Sequence, residues 1–323
     1  MIIRRAAAWI PILLLAGCVT VAHRVRMVNV SVADLRAEPK TTATADTHDP
    51  LQETQLLYGE RVRVRKVKDG WANVEALEQA EFTHGGRWQG YPGWLPEAQL
   101  SPSAEAWQPT IVVTAKWAPV TRTAYANQPP ELLLPMGSLL KGRNVGQEFW
   151  RVEFNDGSMG WIPYRQARSL LELLGLSQEQ RRRAVVQAAQ QFLGDPYFWG
   201  GRSPHANRAP SQPTGVDCSG LVNLAYRSAG MIVPRDAHEQ FLRAKRITTL
   251  QPADLIFLSE QSKPSRIVHV MLYAGGGEII EGPGTDQTVR RIALAKRLGR
   301  PLEQLHPGDV IDGQTVFFGT YLP

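Results

Sequence analysis

Short alternations of apolar and polar residues, broken by Gly, Pro and Trp, run through residues 24 to 168. The stretch from Val62 to Val67 alternates with a period of two, which predicts a half-exposed strand. The order of a turn, a Trp strand and a Gly-Trp strand also occurs twice. The first copy comprises Leu57 to Glu60, Gly70 to Glu75 and Gly93 to Pro96, with an insert from Ala76 to Gly90; the second comprises Leu134 to Ser138, Trp150 to Glu153 and Gly160 to Pro163. This weak repeat predicts two small β-barrels, at 24–104 and 108–168.

The pattern changes near residue 169, where helical spacing of apolar residues begins. Residues 169–180 are interpreted as a linker and the start of a helix. Ser177 and Gln180 have the spacing of a capping box, which predicts a helix that continues to Phe192 and ends at Gly194. A third domain of α+β class is therefore expected over 181–323.

The N-terminus has the layout of a secretory signal. A cationic Met1 to Arg5 precedes an apolar run that is too short to span a bilayer, and the run ends at Cys18. The small residues before Cys18 resemble a bacterial lipobox, so residues 1–18 are expected to be a lipoprotein signal peptide. The protein would then be exported and anchored by lipid on Cys18 to the cell envelope, on the periplasmic side of the inner or outer membrane. The other interpretation is an ordinary signal peptide followed by a chance cysteine.

Charge adds little to this picture. The chain has 36 Lys and Arg against 30 Asp and Glu, a formal net charge of +6. Most of the basic residues are scattered, which is typical of solvated faces, and an exported protein meets little nucleic acid. We therefore expect no nucleic-acid partner.

Cys218 is one of two cysteines in the chain, and its surroundings favour a nucleophile. Asp217 is a good helix N-cap, and the apolar positions from Leu221 to Ala225 indicate a helix. Cys218 then lies in the first turn, where unpaired N–H groups and the helix dipole favour a thiolate. The alternative is a small buried structural residue, since free cysteine is often buried.

His269 is the best candidate base among seven histidines. It lies in a strand-like run that is followed by three glycines and a second strand-like run ending at Glu281. A turn centred at Gly275 would place Glu281 directly opposite His269, where its carboxylate could orient the imidazole. A one-residue error in register would put Glu281 on the other face, as a solvated strand carboxylate.

Five motifs follow one another between residues 180 and 323. They are Tyr197 to Gly201, Asp217 to Leu221, Pro234 to Ala237, Pro252 to Phe257 and His269 to Tyr273. In this order they resemble the NlpC-type cell-wall cysteine peptidases, which implies a papain-like α+β domain with Cys218 as nucleophile and His269 as base. The third residue, usually His in that family, is Glu281 here, and Tyr197 matches the family tyrosine near the oxyanion site. The resemblance implies neither a metal nor a cofactor.

The two predicted barrels resemble tandem bacterial SH3-like domains. With them, the chain is similar to γ-D-glutamyl-L-diamino-acid endopeptidases that act on peptidoglycan stem peptides with a free N-terminal L-Ala. Glu60 and Tyr91 match the carboxylate and tyrosine by which the first barrel walls the groove in those enzymes. Four further residues match other substrate contacts: Trp199, Asp217, Ser219 and Asp236.

The resemblance thus implies a substrate among stem peptides or muropeptides, whose ammonium group needs a carboxylate partner once it leaves water. Glu60 and Asp217 are expected to supply that partner. Two other functions fit the sequence: a non-catalytic lipoprotein that binds wall peptides, and a related thiol amidase or acyl transferase.

Overall fold

The structure is a computed structural model that describes residues 25–42, 48–104, 107–124, 129–206 and 214–322. The expected signal peptide and Cys18 lie outside these residues. Within the described ranges, no helix is both long and apolar enough to cross a membrane. The described residues form two N-terminal β units and a C-terminal unit of helices packed on a sheet.

The first β unit is one antiparallel sheet of six strands. These are β1 (Val25–Met27), β2 (Val32–Arg36), β3 (Gln52–Leu57), β4 (Arg61–Lys68), β5 (Trp71–Glu81) and β6 (Gln89–Pro96), in the sheet order β1-β4-β5-β6-β2-β3. The alternation that predicted β4 is confirmed, because Val62 and Val64 are buried while Arg61 is exposed. A β-bulge between Ala76 and Ala80 breaks the β5–β6 pairing, and the chain between the strands extends toward the C-terminal unit.

The second β unit contains seven short strands. These are β7 (Ile111–Val113), β8 (Trp117–Val120), β9 (Leu132–Pro135), β10 (Leu139–Val145), β11 (Phe149–Glu153), β12 (Met159–Pro163) and β13 (Ala167–Ser169). Five of them form the sheet β12-β11-β10-β7-β13, and β8 pairs with β9. The Trp150 indole N–H, buried in this core, donates to the Tyr164 and Ala167 carbonyls at 3.0 and 3.2 Å. The repeated Trp strand and Gly-Trp strand form neighbouring strands in both units.

The C-terminal unit has five helices and seven strands. Its helices are α1 (Leu170–Leu174), α2 (Gln178–Gln190), α3 (Cys218–Ser228), α4 (Ala237–Arg243) and α5 (Leu294–Leu298). Its strands are β14 (Lys245–Arg246), β15 (Leu255–Ser259), β16 (Ile267–Gly275), β17 (Glu278–Glu281), β18 (Arg290–Ala293), β19 (Val310–Ile311) and β20 (Gln314–Thr320). The sheet order is β14-β20-β15-β16-β17-β18, and β19 pairs with β20. The capping box predicted for Ser177 and Gln180 is confirmed at the start of α2.

Both faces of this last sheet are covered by apolar residues. Phe257 and Leu272 pack with α3, whereas Ile256 and Met271 belong to a second cluster that includes Leu298 of α5. Every residue of α3 is buried, so the helix that begins at Cys218 is held from all sides. A nucleophile at its first residue is therefore rigidly placed.

A buried charge network joins the first β unit to the C-terminal unit. The Glu60 carboxylate lies 2.7 Å from the Arg202 guanidinium and 3.2 Å from that of Arg227. Glu60 is 1 % exposed, Arg202 0 % and Arg227 5 %. Because each charge has left water, the network holds the two units in one arrangement only while all partners are present.

Candidate active site

Cys218 is the first residue of α3, as predicted, and its side chain is buried. The Asp217 carboxylate caps the helix by accepting the Gly220 N–H at 2.6 Å. Cys218 therefore lies at the N-terminal end of α3, where the positive end of the helix dipole favours negative charge.

His269 and Glu281 meet as predicted, although the predicted register is wrong. In the structure Leu272 lies opposite Ile280 and Tyr273 opposite Ile279, so continuation of this pairing places Met271 opposite Glu281. The glycine turn is centred one residue later than assumed, at Gly276, and this shifts the pairing by two residues. Because two residues is one full side-chain period, both side chains stay on the same face. The His269 Nε2 lies 2.8 Å from a Glu281 carboxylate oxygen.

The imidazole has a partner on each side. Nε2 is hydrogen-bonded to Glu281, so Nδ1 is the ring nitrogen that is available for a hydrogen bond with the Cys218 thiol. Burial would lower the pKa of His269, but the hydrogen bonds to Cys218 and Glu281 outweigh it and raise the pKa to about 9. The ring is therefore an imidazolium at neutral pH, as a thiolate–imidazolium pair requires.

Two arginines that the sequence analysis missed hold Glu281 from its other side. Arg290 contacts one carboxylate oxygen through Nε and a terminal nitrogen at 3.0 and 2.7 Å, and the Arg297 Nε lies at 3.2 Å. Burial opposes ionisation of Glu281, which is 0 % exposed, but His269 and the two arginines outweigh it and lower the pKa to about 2. Arg290 lies directly opposite Glu281 on β18, a strand that the sequence analysis did not predict.

A cleft of about 540 Å³ opens beside Cys218, between the first β unit and the C-terminal unit. The first β unit contributes Gln52, Glu53, Thr83, His84 and Tyr91, and the C-terminal unit contributes Tyr197, Trp199, Asp217, Cys218, Ser219, Asp236, His238, Glu239 and Arg266, among others. The structure thus brings Tyr91, Tyr197, Trp199, Asp217, Ser219 and Asp236 together around the nucleophile.

Tyr197 and Trp199 occupy different parts of this cleft. Tyr197 is buried and so close to Cys218 and Asp217 that burial first, and then their negative charges, raise its pKa. Its hydroxyl is therefore a neutral donor beside the sulfur. Trp199 is 51 % exposed and offers a large apolar face at the rim, 6.0 Å from the His48 ring.

Asp217 forms an ion pair with Arg235, a residue of the Pro234 to Ala237 motif for which the sequence suggested no role. The Arg235 guanidinium, fully buried, lies 2.8 Å from one Asp217 oxygen and 3.0 Å from the other. It also donates to the Ser219 hydroxyl at 3.0 Å and to the Thr54 hydroxyl of the first β unit at 2.6 Å. Each Asp217 oxygen also accepts a backbone N–H, from Gly220 or Gly200, so both oxygens are engaged within the protein and the expectation that Asp217 pairs with a substrate ammonium is not supported.

Glu60 does not line the cleft, contrary to the expectation that it contacts substrate. Its carboxylate belongs to the buried network with Arg202 and Arg227, and it also accepts from the Gln79 amide at 3.0 Å. A different carboxylate of the same unit, Glu53, seven positions earlier in the chain, lines the cleft.

Glu53 and Asp236 form an acidic end to the cleft. The Tyr91 hydroxyl lies between them, 3.1 Å from an Asp236 oxygen and 3.5 Å from a Glu53 oxygen. The Asp236 side chain is 38 % exposed, and its partial desolvation in the cleft, opposed by Arg235, raises its pKa to about 6. His84, from the predicted insert, lies 3.5 Å from Glu53 and 3.1 Å from Glu81, and its contact with Glu53 raises its pKa to about 9.

Among the residues that the structure describes, no three His, Cys, Asp or Glu side chains cluster so as to hold a metal ion. The side chains at and beside the cleft include a thiol, an imidazolium, a buried carboxylate and a phenol: Cys218, His269, Glu281 and Tyr197.

The sequence profile of the NlpC/P60 family matches residues 194–301, a range that contains Cys218, His269 and Glu281. Among curated proteins, the γ-D-glutamyl-L-lysine dipeptidyl-peptidase of Bacillus cereus is 28 % identical over 254 residues, which cover 75 % of this chain and 70 % of that protein. The protein of the same name from Bacillus subtilis is 26 % identical, covering 77 % of this chain and 78 % of its own length.

A solved structure supports the fold over nearly the whole chain. An NlpC/P60 family protein from Bacillus cereus superposes with a TM-score of 0.71 at 24 % sequence identity, covering 93 % of this chain and 100 % of that one. The likeness extends beyond the family match, into both N-terminal β units.

Proposed function

The chain carries an NlpC/P60 domain and is a cysteine peptidase, and from this premise we propose that it hydrolyses the γ-D-glutamyl–diamino acid bond of peptidoglycan stem peptides whose N-terminal L-Ala is free. The observation that carries the proposal is the acidic end of the cleft, where the Tyr91 hydroxyl bridges Glu53 and Asp236. The names of the two Bacillus relatives support the same bond. We also infer that the two N-terminal β units are SH3-like domains.

The position of the first β unit supports release of a dipeptide. Its strand β3 and the β5–β6 insert close the cleft on the side where Glu53, His84 and Tyr91 lie. A long polymer cannot continue past such a wall, whereas a chain that ends in an ammonium group gains carboxylate partners there. An ammonium group taken from water needs these partners. The wall therefore limits how far the substrate extends beyond the scissile bond and favours a substrate whose N-terminus is charged.

The catalytic groups supply a complete amide hydrolysis. The Cys218 thiolate attacks the γ-carbonyl carbon, and the oxyanion accepts hydrogen bonds from the Cys218 N–H and the Tyr197 hydroxyl. The C–N bond then breaks as the His269 imidazolium gives its proton to the leaving amine, and the acyl group remains on Cys218 as a thioester. Water attacks the thioester while His269 takes a proton from it, and the C–S bond breaks to release the γ-glutamyl acid and restore the Cys218 thiolate beside the His269 imidazolium. Glu281 holds the imidazole ring in both halves of the reaction.

Product analysis tests the bond and the need for a free amine. We would incubate L-Ala-γ-D-Glu-L-Lys, the corresponding meso-diaminopimelate peptide and their N-acetylated forms with the enzyme, and identify the products by mass. We expect L-Ala-γ-D-Glu from the free peptides. Loss of a hydrogen bond to a charged group costs about 1.5 to 3 kcal/mol, so acetylation is expected to lower kcat/KM by about 10- to 150-fold. A released sugar, a transferred acyl group or equal cleavage of free and acetylated peptides would refute the proposal.

A substitution in the wall separates amine recognition from catalysis. Glu53→Gln is expected to lower kcat/KM for free peptides at least tenfold and to leave the slow cleavage of acetylated peptides unchanged. Glu38→Gln is the matched control, because Glu38 belongs to the same unit, is exposed and pairs with the exposed Lys40. Equal losses on both substrates would mean that Glu53 serves catalysis or folding instead.

We further propose that the enzyme is exported and held in the envelope by lipid on Cys18. The cationic Met1 to Arg5, the apolar run and the small residues before Cys18 support this. Labelled palmitate should be incorporated into the wild-type protein, which should sediment with membranes, and Cys18→Ser should abolish both. Incorporation into Cys18→Ser, or a wild-type protein that stays unlabelled, would contradict the proposal.

A further inference from the structure

Glu281 is an unusual orienting residue, because a bare carboxylate beside an imidazolium would hold the proton very tightly. The carboxylate is 0 % exposed, so its charge is not weakened by water. Left alone with His269, it would stabilise the imidazolium strongly and delay loss of the proton that general-base catalysis requires. Positive charges close to Glu281 are therefore needed to offset part of its negative charge.

Arg290 and Arg297 are placed to do so. Arg290, on β18, contacts one oxygen of Glu281 at 2.7 and 3.0 Å, while His269 contacts the other at 2.8 Å. Arg297, on α5, places its Nε 3.2 Å from each oxygen. The carboxylate is thus fixed from three elements, and the plane that it offers to His269 cannot rotate without breaking a contact.

The surroundings of the ring define which charges act on it. His269 lies between Cys218 of α3 and Glu281 of β17, and Tyr197 and Asp217 lie near the thiol. Arg290 and Arg297 face Glu281 from β18 and α5. The side chains of the two arginines are 38 % and 27 % exposed, so water partly screens their charge.

We propose that Arg290 and Arg297 are positioning residues of the catalytic centre, which hold Glu281 against His269 and set the upper pH limit of activity by sharing its charge. Neither arginine lines the cleft beside Cys218, and both contact Glu281, through which they act on His269. The inference rests on the Cys218–His269 chemistry and not on the substrate proposed above. It explains how a glutamate functions at a position where the resemblance described earlier implies histidine.

The test is a direct titration of His269. In protein with isotope-labelled histidines, the ring signal is followed by NMR against pH and assigned by its loss in His269→Gln. Arg290→Gln and Arg297→Gln should each raise the midpoint by roughly one pH unit, since a like charge has been removed from a partly screened site near the imidazolium. Arg290→Lys and Arg297→Lys should restore most of the wild-type midpoint.

Arg291→Gln is the matched control, because Arg291 lies on the same strand but pairs with Glu278. It should leave the midpoint unchanged. A midpoint that stays at the wild-type value in folded Arg290→Gln and Arg297→Gln, or moves downward, overturns the proposal. The titration needs no substrate, so a wrong choice of peptide does not affect this result.

Steady-state kinetics provide a second measurement. The basic limb of kcat at saturating substrate reports groups in the enzyme–substrate complex. In the two Gln variants the limb should move to higher pH while kcat at the optimum falls several-fold. A purely structural role would lower kcat without moving the limb, and that outcome would also refute the assignment.

Discussion

Replacement of Glu60 by Gln is expected to destabilise the protein strongly and to leave its substrate preference intact. The change removes the negative charge between Arg202 and Arg227, which are 0 % and 5 % exposed. Removal of one partner of a buried ion pair costs about 3 to 5 kcal/mol, because the remaining charges cannot regain water. With an m-value of about 3 kcal/mol/M, the urea midpoint should fall by about 1 to 1.7 M.

The effect should depend on pH in a defined direction. Burial would raise the pKa of Glu60, but Arg202 and Arg227 outweigh it and lower the pKa below its ordinary value. A lowered carboxyl pKa stabilises the fold above the unfolded value, about 4.3, and this stabilisation is lost as the pH falls through the folded value. The difference between wild type and Glu60→Gln should therefore be full at pH 7 and shrink below about pH 4.

Urea unfolding followed by tryptophan fluorescence measures the difference, and Glu38→Gln serves as the exposed control, which should stay within about 0.5 kcal/mol of wild type. Activity toward free and acetylated peptides is measured on folded protein. If Glu60→Gln were as stable as wild type yet lost its preference for free peptides, Glu60 would be a substrate group after all.

Three further predictions concern the catalytic centre and the amine site. Cys218→Ala should abolish peptide cleavage, which is checked by product release, while urea stability stays within about 1 kcal/mol; cleavage at the wild-type rate would eliminate Cys218 as nucleophile. Glu281→Gln should lower the midpoint of the His269 titration from about 9 and reduce kcat, because the charge and hydrogen bond that stabilise the imidazolium are weakened; an unchanged NMR midpoint would contradict this. The pKa of Asp236, about 6, predicts that the preference for free over acetylated peptides declines as the pH falls below 6, where the carboxyl becomes neutral; Asp236→Asn should make that ratio independent of pH between 5 and 7.

Local sequence rules were sufficient where neighbouring residues determine the structure. The capping box at Ser177 and the placement of Cys218 behind its N-cap follow from spacing alone. The His269–Glu281 contact was predicted correctly from a wrong register, because an error of two residues preserves the face of a strand.

Long-range contacts were beyond these rules. Whether Glu53 or Glu60 reaches the cleft depends on how the first β unit docks on residues that follow about 150 positions later in the chain, such as Arg202. Arg297 reaches Glu281 from a short helix, and nothing in its local spacing indicates a charged partner. Side chains whose partners lie in another unit have no periodic signature.

Arg235 has a consequence for how this enzyme can change. One guanidinium joins the cap of the nucleophile helix, Asp217, to Thr54 of the first β unit, and the Arg235 N–H bonds to the Ala80 carbonyl of that unit. The same arginine therefore supports both the wall of the cleft and the helix that carries Cys218. Substitutions that loosen the wall to admit longer substrates would also loosen the helix that carries Cys218. We therefore expect a broader substrate range to arise through changes at the exposed rim near Trp199 instead.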